Sequence, residues 1–212
     1  MAVYDLEEQE QIEEIKSWWK QYRALVLLVV VAASLSVSTV FGWRYYQSRQ
    51  AFEAGQLYSQ LQAAAGNGDL KKTQDIAALL VDEYPRTGYA ALAALTGARA
   101  AFDGGDAAAA TTRLQWVIDN GKEDEVRDTA RLRLAAVLLD GKQYDAALKL
   151  LEARHADALS ARYADLKGDV LVAQGKSDDA RSAYQLALDK SDARSAYRAL
   201  IRVKLDALGE AK

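Results

Sequence analysis

The sequence predicts an all-α chain, with a single N-terminal transmembrane helix followed by a solenoid of stacked helix pairs. Three observations predict this. Ala24–Trp43 is an uncharged apolar run of 20 residues. Good helix formers fill nearly every window, and Pro85 is the only proline in 212 residues, which argues against a turn-rich β fold. Beyond Arg49 the chain repeats itself with small residues at matching places, the mark of a repeat array.

The anchor comes first. At ~1.5 Å per residue, Ala24–Trp43 spans ~30 Å, the thickness of a bilayer hydrocarbon core. Lys16, Lys20 and Arg23 precede it, and Arg44 and Arg49 follow it. Trp18, Trp19 and Tyr22 stand at one end, with Trp43, Tyr45 and Tyr46 at the other. Amphipathic rings at both ends suit the two membrane interfaces. A cleavable signal peptide is the rival reading, with Ser36-Val37-Ser38 imitating a cleavage site. Against it, the apolar run continues through Val40, Phe41 and Trp43, and the preceding segment is long and acidic.

Residues 1–23 carry Asp5, Glu7, Glu8, Glu10, Glu13 and Glu14 against three bases, which accounts for the whole net charge of −3. The rest of the chain is balanced, leaving no basic footprint for nucleic acid. Leu6, Ile12, Ile15 and Trp19 give Asp5–Lys20 an amphipathic pattern, read either as a membrane-surface helix or as a solvated tail. The Lys/Arg count leans toward a cytoplasmic N-terminus. Ser34, Ser38 and Gly42 recur at four-residue spacing, which would let another membrane helix approach closely. Small residues are also common in such spans for no specific reason.

The domain organisation expected is a tail at 1–23, the span at 24–43, a juxtamembrane linker at 44–50 and a repeat domain at 51–212. Its units align on Ala98, Ala135 and Gly168 in the first helix of each pair. Ala110, Ala147 and Ala180 follow in the second helix. These small side chains let paired helices cross closely. Leu114, Leu151 and Tyr184 fill the gap to the next unit. Gly105, Gly141 and Gly175 are assigned to the turns, where a left-handed residue ends a helix. The spacing is 37 residues from Ala110 to Ala147 and 33 from Ala147 to Ala180, with the insertion near Asn120-Gly121-Lys122. An earlier pair is expected from Ala51–Ala65 and Leu70–Tyr84 around the Gly66-Asn67-Gly68-Asp69 turn. Ala193–Leu208 is expected as a capping helix, with Arg194, Arg198, Arg202 and Lys204 facing water.

Spacing and residue types resemble the tetratricopeptide repeat. That resemblance implies a concave face lined by first helices, a place for polypeptide. The positions are Leu92, Leu95, Arg99 and Phe102, then Leu132, Ala136 and Leu139, then Arg162, Asp165, Asp169 and Val172. They lack the Lys/Asn carboxylate clamp of the domains that grip chaperone C-termini. Either an apolar or extended polypeptide occupies this face, or a neighbouring helix of the chain fills it.

No enzyme is expected. There is no cysteine, and His155 is the only histidine, placed near the end of a second helix where it meets the dipole or solvent. HExxH, a phosphate loop and a nucleophile elbow are all missing. No catalytic residue, metal site or cofactor is assigned.

Taken in order, several short motifs resemble the YfgM family. They begin with an acidic tail carrying Tyr4, Glu7 and Gln9, then Lys16-Ser17-Trp18-Trp19, the apolar span and Gly42-Trp43-Arg44-Tyr45-Tyr46. Tyr89-Ala90-Ala91-Leu92-Ala93, Leu132-Arg133-Leu134-Ala135, Ala164–Asp169 and Ala180-Arg181-Ser182-Ala183 follow. The resemblance implies an ancillary subunit of the SecYEG translocon in the inner membrane, with periplasmic repeats and a PpiD-like chaperone as partner. It would assist newly translocated polypeptide clients. Two alternatives stay open: a regulatory or assembly scaffold acting through the cytoplasmic tail, and a cleaved, soluble periplasmic binding module.

Overall fold

Residues 2–209 are described by a computed structural model, with side chains from Gln11 onward. The amphipathic assignment of Leu6 therefore lies outside the described side chains. Among the described residues every regular element is helical. In order these are α1 (Ala2–Gly66), α2 (Leu70–Glu83), α3 (Gly88–Asp103), α4 (Ala107–Asn120), α5 (Asp124–Asp140), α6 (Tyr144–Leu151), α7 (Ser160–Ala173), α8 (Ser177–Lys190) and α9 (Ala196–Ala207), with a single 3-10 turn at Asp157–Leu159.

The chain divides into two compact units, Met1–Gln50 and Ala51–Lys212. Helix α1 supplies residues to both, and 44–50 is helical rather than an irregular linker. In the first unit the apolar side chains stand exposed, Leu28 at 68% and Phe41 at 68%. Ser34, Ser36 and Thr39 return their hydroxyls to the carbonyls of Val30, Ala32 and Leu35 at 2.8–2.9 Å. Bonding back four residues satisfies a polar group where no water is available.

In the second unit the same turn occurs four times. Gly68, Gly105, Lys142 and Gly175 have φ between 57° and 84°. The residue after each donates its N–H five residues back: Asp69 to Ala64 O, Asp106 to Ala101 O, Gln143 to Leu138 O and Lys176 to Leu171 O, at 2.8–3.0 Å. This closes the first helix of each pair with a left-handed residue. It corrects the assignment of Gly141, which has φ −73° and ends α5 in ordinary geometry. Its neighbour Lys142 takes the left-handed position, because the turn is counted from Ala135 and not from the glycine. Asp69 and Asp106 then cap α2 and α4, accepting from the N–H groups of Lys72 at 3.0 Å and Ala109 at 2.8 Å. Gln143 and Lys176 provide no such bond.

Close crossings follow from missing side chains. Ala110, Ala147 and Ala180 are fully buried. A Cβ built on Gly168 would lie 2.4 Å from Tyr184 Cε1, and one on Gly97 2.6 Å from Ala77 Cβ. Leu114, Leu151 and Tyr184 are buried as expected. The core is a chain of adjoining clusters. One centres on Leu61 and Leu80, the next on Leu95, Leu114 and Leu134, the third on Leu151, Tyr163 and Val170, and the last on Tyr184, Leu188 and Ile201. Each buries faces that a lone pair would leave wet.

Helix α6 ends at Leu151, so His155 lies in the connection to α7 and not on a helix. Its ring stacks on Tyr163 with centroids 4.0 Å apart. Buried Asp128 holds this connection in place. It pairs with Arg131 and accepts from Ala156 N at 2.9 Å, while Tyr163 Oη donates to its backbone carbonyl at 2.7 Å.

Two substitutions are expected to move stability in opposite directions. Gly168→Ala forces Cβ into the Tyr184 ring and should cost about 1–3 kcal/mol. Lys142→Gly removes a side chain from the left-handed position and should gain about 0.5–1 kcal/mol. Thermal unfolding of the full chain in detergent, followed by circular dichroism, checks both.

Candidate groove and membrane face

The concave positions fall into two regions with different fates. Between α3 and α5 lies a cavity of about 380 Å³. Ala98, Arg99 and Phe102 line it from α3, Arg133, Ala136, Val137 and Asp140 from α5, and Leu114 from α4. The structure thus brings together Arg99, Phe102 and Ala136 of the sequence-assigned face. Leu92 does not line the cavity and stands 39% exposed on α3. Leu95 does not line it. At 6% exposure it belongs to the core with Leu114 and Leu134. Leu132 and Leu139 are half-buried against the third cluster.

At α7 the positions are engaged by the chain itself. Lys204 Nζ of α9 donates to both carboxylate oxygens of Asp165 at 2.9 Å and to Asp169 Oδ2 at 2.8 Å. Tyr197 Oη donates to Asp165 Oδ2 and Tyr184 Oη to Asp169 Oδ1, each at 2.7 Å. Lys204 and Arg198 therefore do not face water as expected. Arg198 Nη1 donates to the carbonyls of Leu188 and Ser191, satisfying the end of α8. Arg162 and Val172 remain exposed. The two acids, one ammonium and two phenols could not be inferred from local pattern, since Asp165 and Lys204 lie 39 residues apart.

The electrostatics follow from burial and charge. Burial acts to lower the Lys204 pKa, but the bonds to Asp169 and Asp165 outweigh it and hold the group above its ordinary value. Tyr184 and Tyr197 are held well above the ordinary phenol value, first by burial and then by their carboxylate partners. Tyr163 is pushed up to about 12, chiefly by burial. Nothing here is arranged as a nucleophile with its base. The cluster clasps α9 onto α7 and α8.

On the span, Ser34, Ser38 and Gly42 are all exposed. A Cβ on Gly42 would meet nothing within 4 Å. Trp18 and Tyr22 pack with centroids 5.6 Å apart at one end, and Trp43 and Tyr46 at 6.2 Å at the other.

Known proteins match this arrangement along nearly its whole length. A tetratricopeptide repeat-like domain family covers residues 16–210. An ancillary SecYEG translocon subunit from Neisseria gonorrhoeae is 32% identical, covering 98% of this chain and 100% of its own. Proteins of the same description from Haemophilus influenzae, at 31% identity over 87% of this chain and 90% of theirs, and from Escherichia coli, at 30% over 98% and 99%, also match. The chain belongs to the ancillary SecYEG translocon subunit family. Among solved structures, MamA 41-end from Desulfovibrio magneticus RS-1 aligns with a TM-score of 0.55 at 23% identity. It covers 72% of this chain and 85% of its own, and shares the fold. In this chain the cavity lies within the unit Ala51–Lys212, and the apolar stretch of α1 is long enough to cross a membrane.

The clasp makes stability sensitive to alkali. Groups whose folded pKa is raised contribute stability that is complete below the unfolded value, about 10 for tyrosine and 10.4 for lysine, and lost as pH rises through the folded value. As pH rises above about 10, phenolate absorbance should show Tyr163, Tyr184 and Tyr197 ionising after solvent-facing tyrosines. The Tm should fall over the same rise in pH, and Tyr197→Phe should blunt that fall.

Proposed function

We propose that this chain is an inner-membrane, single-pass accessory subunit of the SecYEG translocon. Its N-terminus lies in the cytoplasm and its repeats in the periplasm. The α3–α5 groove receives segments of newly translocated polypeptide, in concert with a membrane-bound chaperone of the PpiD kind. The protein works by binding and positioning, not by catalysis. One observation carries the reading: relatives named for the translocon match anchor and repeats together, over 98% of the chain.

Physical features support its parts. Ser34, Ser38 and Gly42 offer a low-relief face on which a translocon helix could pack. The groove is lined mainly by apolar side chains, with Arg99, Arg133 and Asp140 among them. The three bases beside the span favour the cytoplasmic side for the N-terminus.

Photo-crosslinking in intact membranes tests this. A crosslinker at Ser38 should capture a translocon subunit, and one at Leu92 should capture a chaperone or a translocating chain. Leu92 is chosen because Leu95 is buried. If neither site yields such a product, the proposal fails. Because the chain has no cysteine, a single Gln62→Cys reports orientation. It should react with an impermeant maleimide applied from the periplasmic side, and protection there would reverse the topology.

A further inference from the structure

We propose that the groove selects extended polypeptide whose apolar residues are interspersed with acidic ones, read by a diagonal of three arginines: Arg99 on α3, Arg133 on α5 and Arg162 on α7. This deepens the groove reading and rests on it.

The arginines occupy successive first helices. Counted from the crossing residues Ala98, Ala135 and Gly168, they sit at +1, −2 and −6, so each is about one helical turn further toward its helix N-terminus than the last. Arg99 and Arg133 share the cavity wall. With Arg162 they place a run of like charge on three successive first helices. Arg133 Nη1 makes one long contact, 3.4 Å to Leu95 O, leaving most of its five N–H donors for something else. The Arg133 guanidinium titrates below the usual range, first through desolvation and then through the charges of Arg99 and Arg162.

The carboxylates nearby do not quench this run. Arg99 pairs with Asp103 at 2.7 Å, but the arginine side chain is 74% exposed and the aspartate 38%. An exposed pair four residues apart is worth little and exchanges readily. Asp140 lines the cavity without pairing to Arg133. All four carboxylate oxygens of Asp165 and Asp169 are taken by Lys204, Tyr197 and Tyr184. The clasp thus occupies the hydrogen-bonding oxygens of both acids, and Arg162 has no hydrogen bond or ion pair among the described residues.

The diagonal also implies a register. First helices in contact lie about 8–10 Å apart, and one turn adds about 5 Å along the axis. Neighbouring rungs are then roughly 10 Å apart, which is about three residues of polyproline-II chain, whose side chains return to one face every third residue. The fitting ligand is acidic at every third position, with apolar residues turned toward Phe102, Ala136 and Val137.

Peptide binding to the full-length protein in nanodiscs tests this by fluorescence anisotropy. The probe is a nine-residue apolar peptide with Glu at every third position. Its twin carries Gln in place of Glu. The acidic peptide should bind about tenfold tighter at low salt and lose most of that advantage at high salt. Arg133→Gln, and separately Arg99→Gln and Arg162→Gln, should each erase much of the preference, while Lys190→Gln at the end of α8 should not. All three arginines are exposed, and the Arg99 and Arg162 variants keep the test readable even if Arg133→Gln folds poorly. Equal binding of both peptides overturns the acidic preference and leaves the groove standing. A preference that survives all three arginine variants overturns their role. Binding of neither peptide overturns both the inference and the groove reading beneath it.

Discussion

Close approach of paired helices is the constraint on which everything else in the repeat domain depends. At Gly168 the space for a side chain is already filled by the Tyr184 ring, and at Gly97 by the methyl of Ala77. Where the crossing residue is alanine, the partner alanine is fully buried. These contacts fix the angle and depth of each pair. They thereby fix which residues of the first helix turn toward the next first helix. The cavity between α3 and α5 is a by-product of that geometry: two first helices held by their own second helices leave room between them that small Ala98 and Ala136 do not fill.

A second layer of organisation is polar and sits where the apolar pattern weakens. The long connection after α6 packs Leu159 against the third cluster. It is held by Asp128, whose carboxylate takes Arg131 and Ala156 N while its carbonyl takes Tyr163. The C-terminal helix α9 buries Ile201 fully but leaves Leu200 and Val203 exposed. Leu205 and Leu208 pack against the same cluster as Ile201, and Lys204, Tyr197 and Arg198 add polar contacts. Such buried polar contacts demand full pairing, since a single missing partner leaves a desolvated group behind.

The fold was legible because its signals are local. An uncharged run, recurring small residues and turn residues at fixed offsets need no knowledge of distant partners. The turn at Lys142 shows the limit of that reasoning. A glycine beside the correct position drew the left-handed assignment, although the count from Ala135 pointed one residue further. The candidate face was legible only in part. Helical periodicity places Leu95 and Arg99 on one stripe, but it does not say that Leu95 sinks into the α4–α5 core while Arg99 stays at the rim. Nor does a row of basic residues in a terminal helix reveal that Lys204 answers two acids 35 and 39 residues earlier. Pairings of that kind are set by how helices stack, and no spacing rule encodes them.

The position of Lys204 has a consequence for the order in which the chain acquires its structure. It follows Asp165 and Asp169 by 39 and 35 residues, so it is synthesised after both. Until it arrives, Asp165 and Asp169 face each other one helical turn apart with no cation between them, and like charges held that close oppose docking. Each helix pair can settle on the one made before it, yet the final cluster closes only when the terminal helix is present. A chain cut short at its end would carry its own flag, a pair of unanswered carboxylates beside an unsealed core. In this sense the clasp is a completeness check built into vectorial folding.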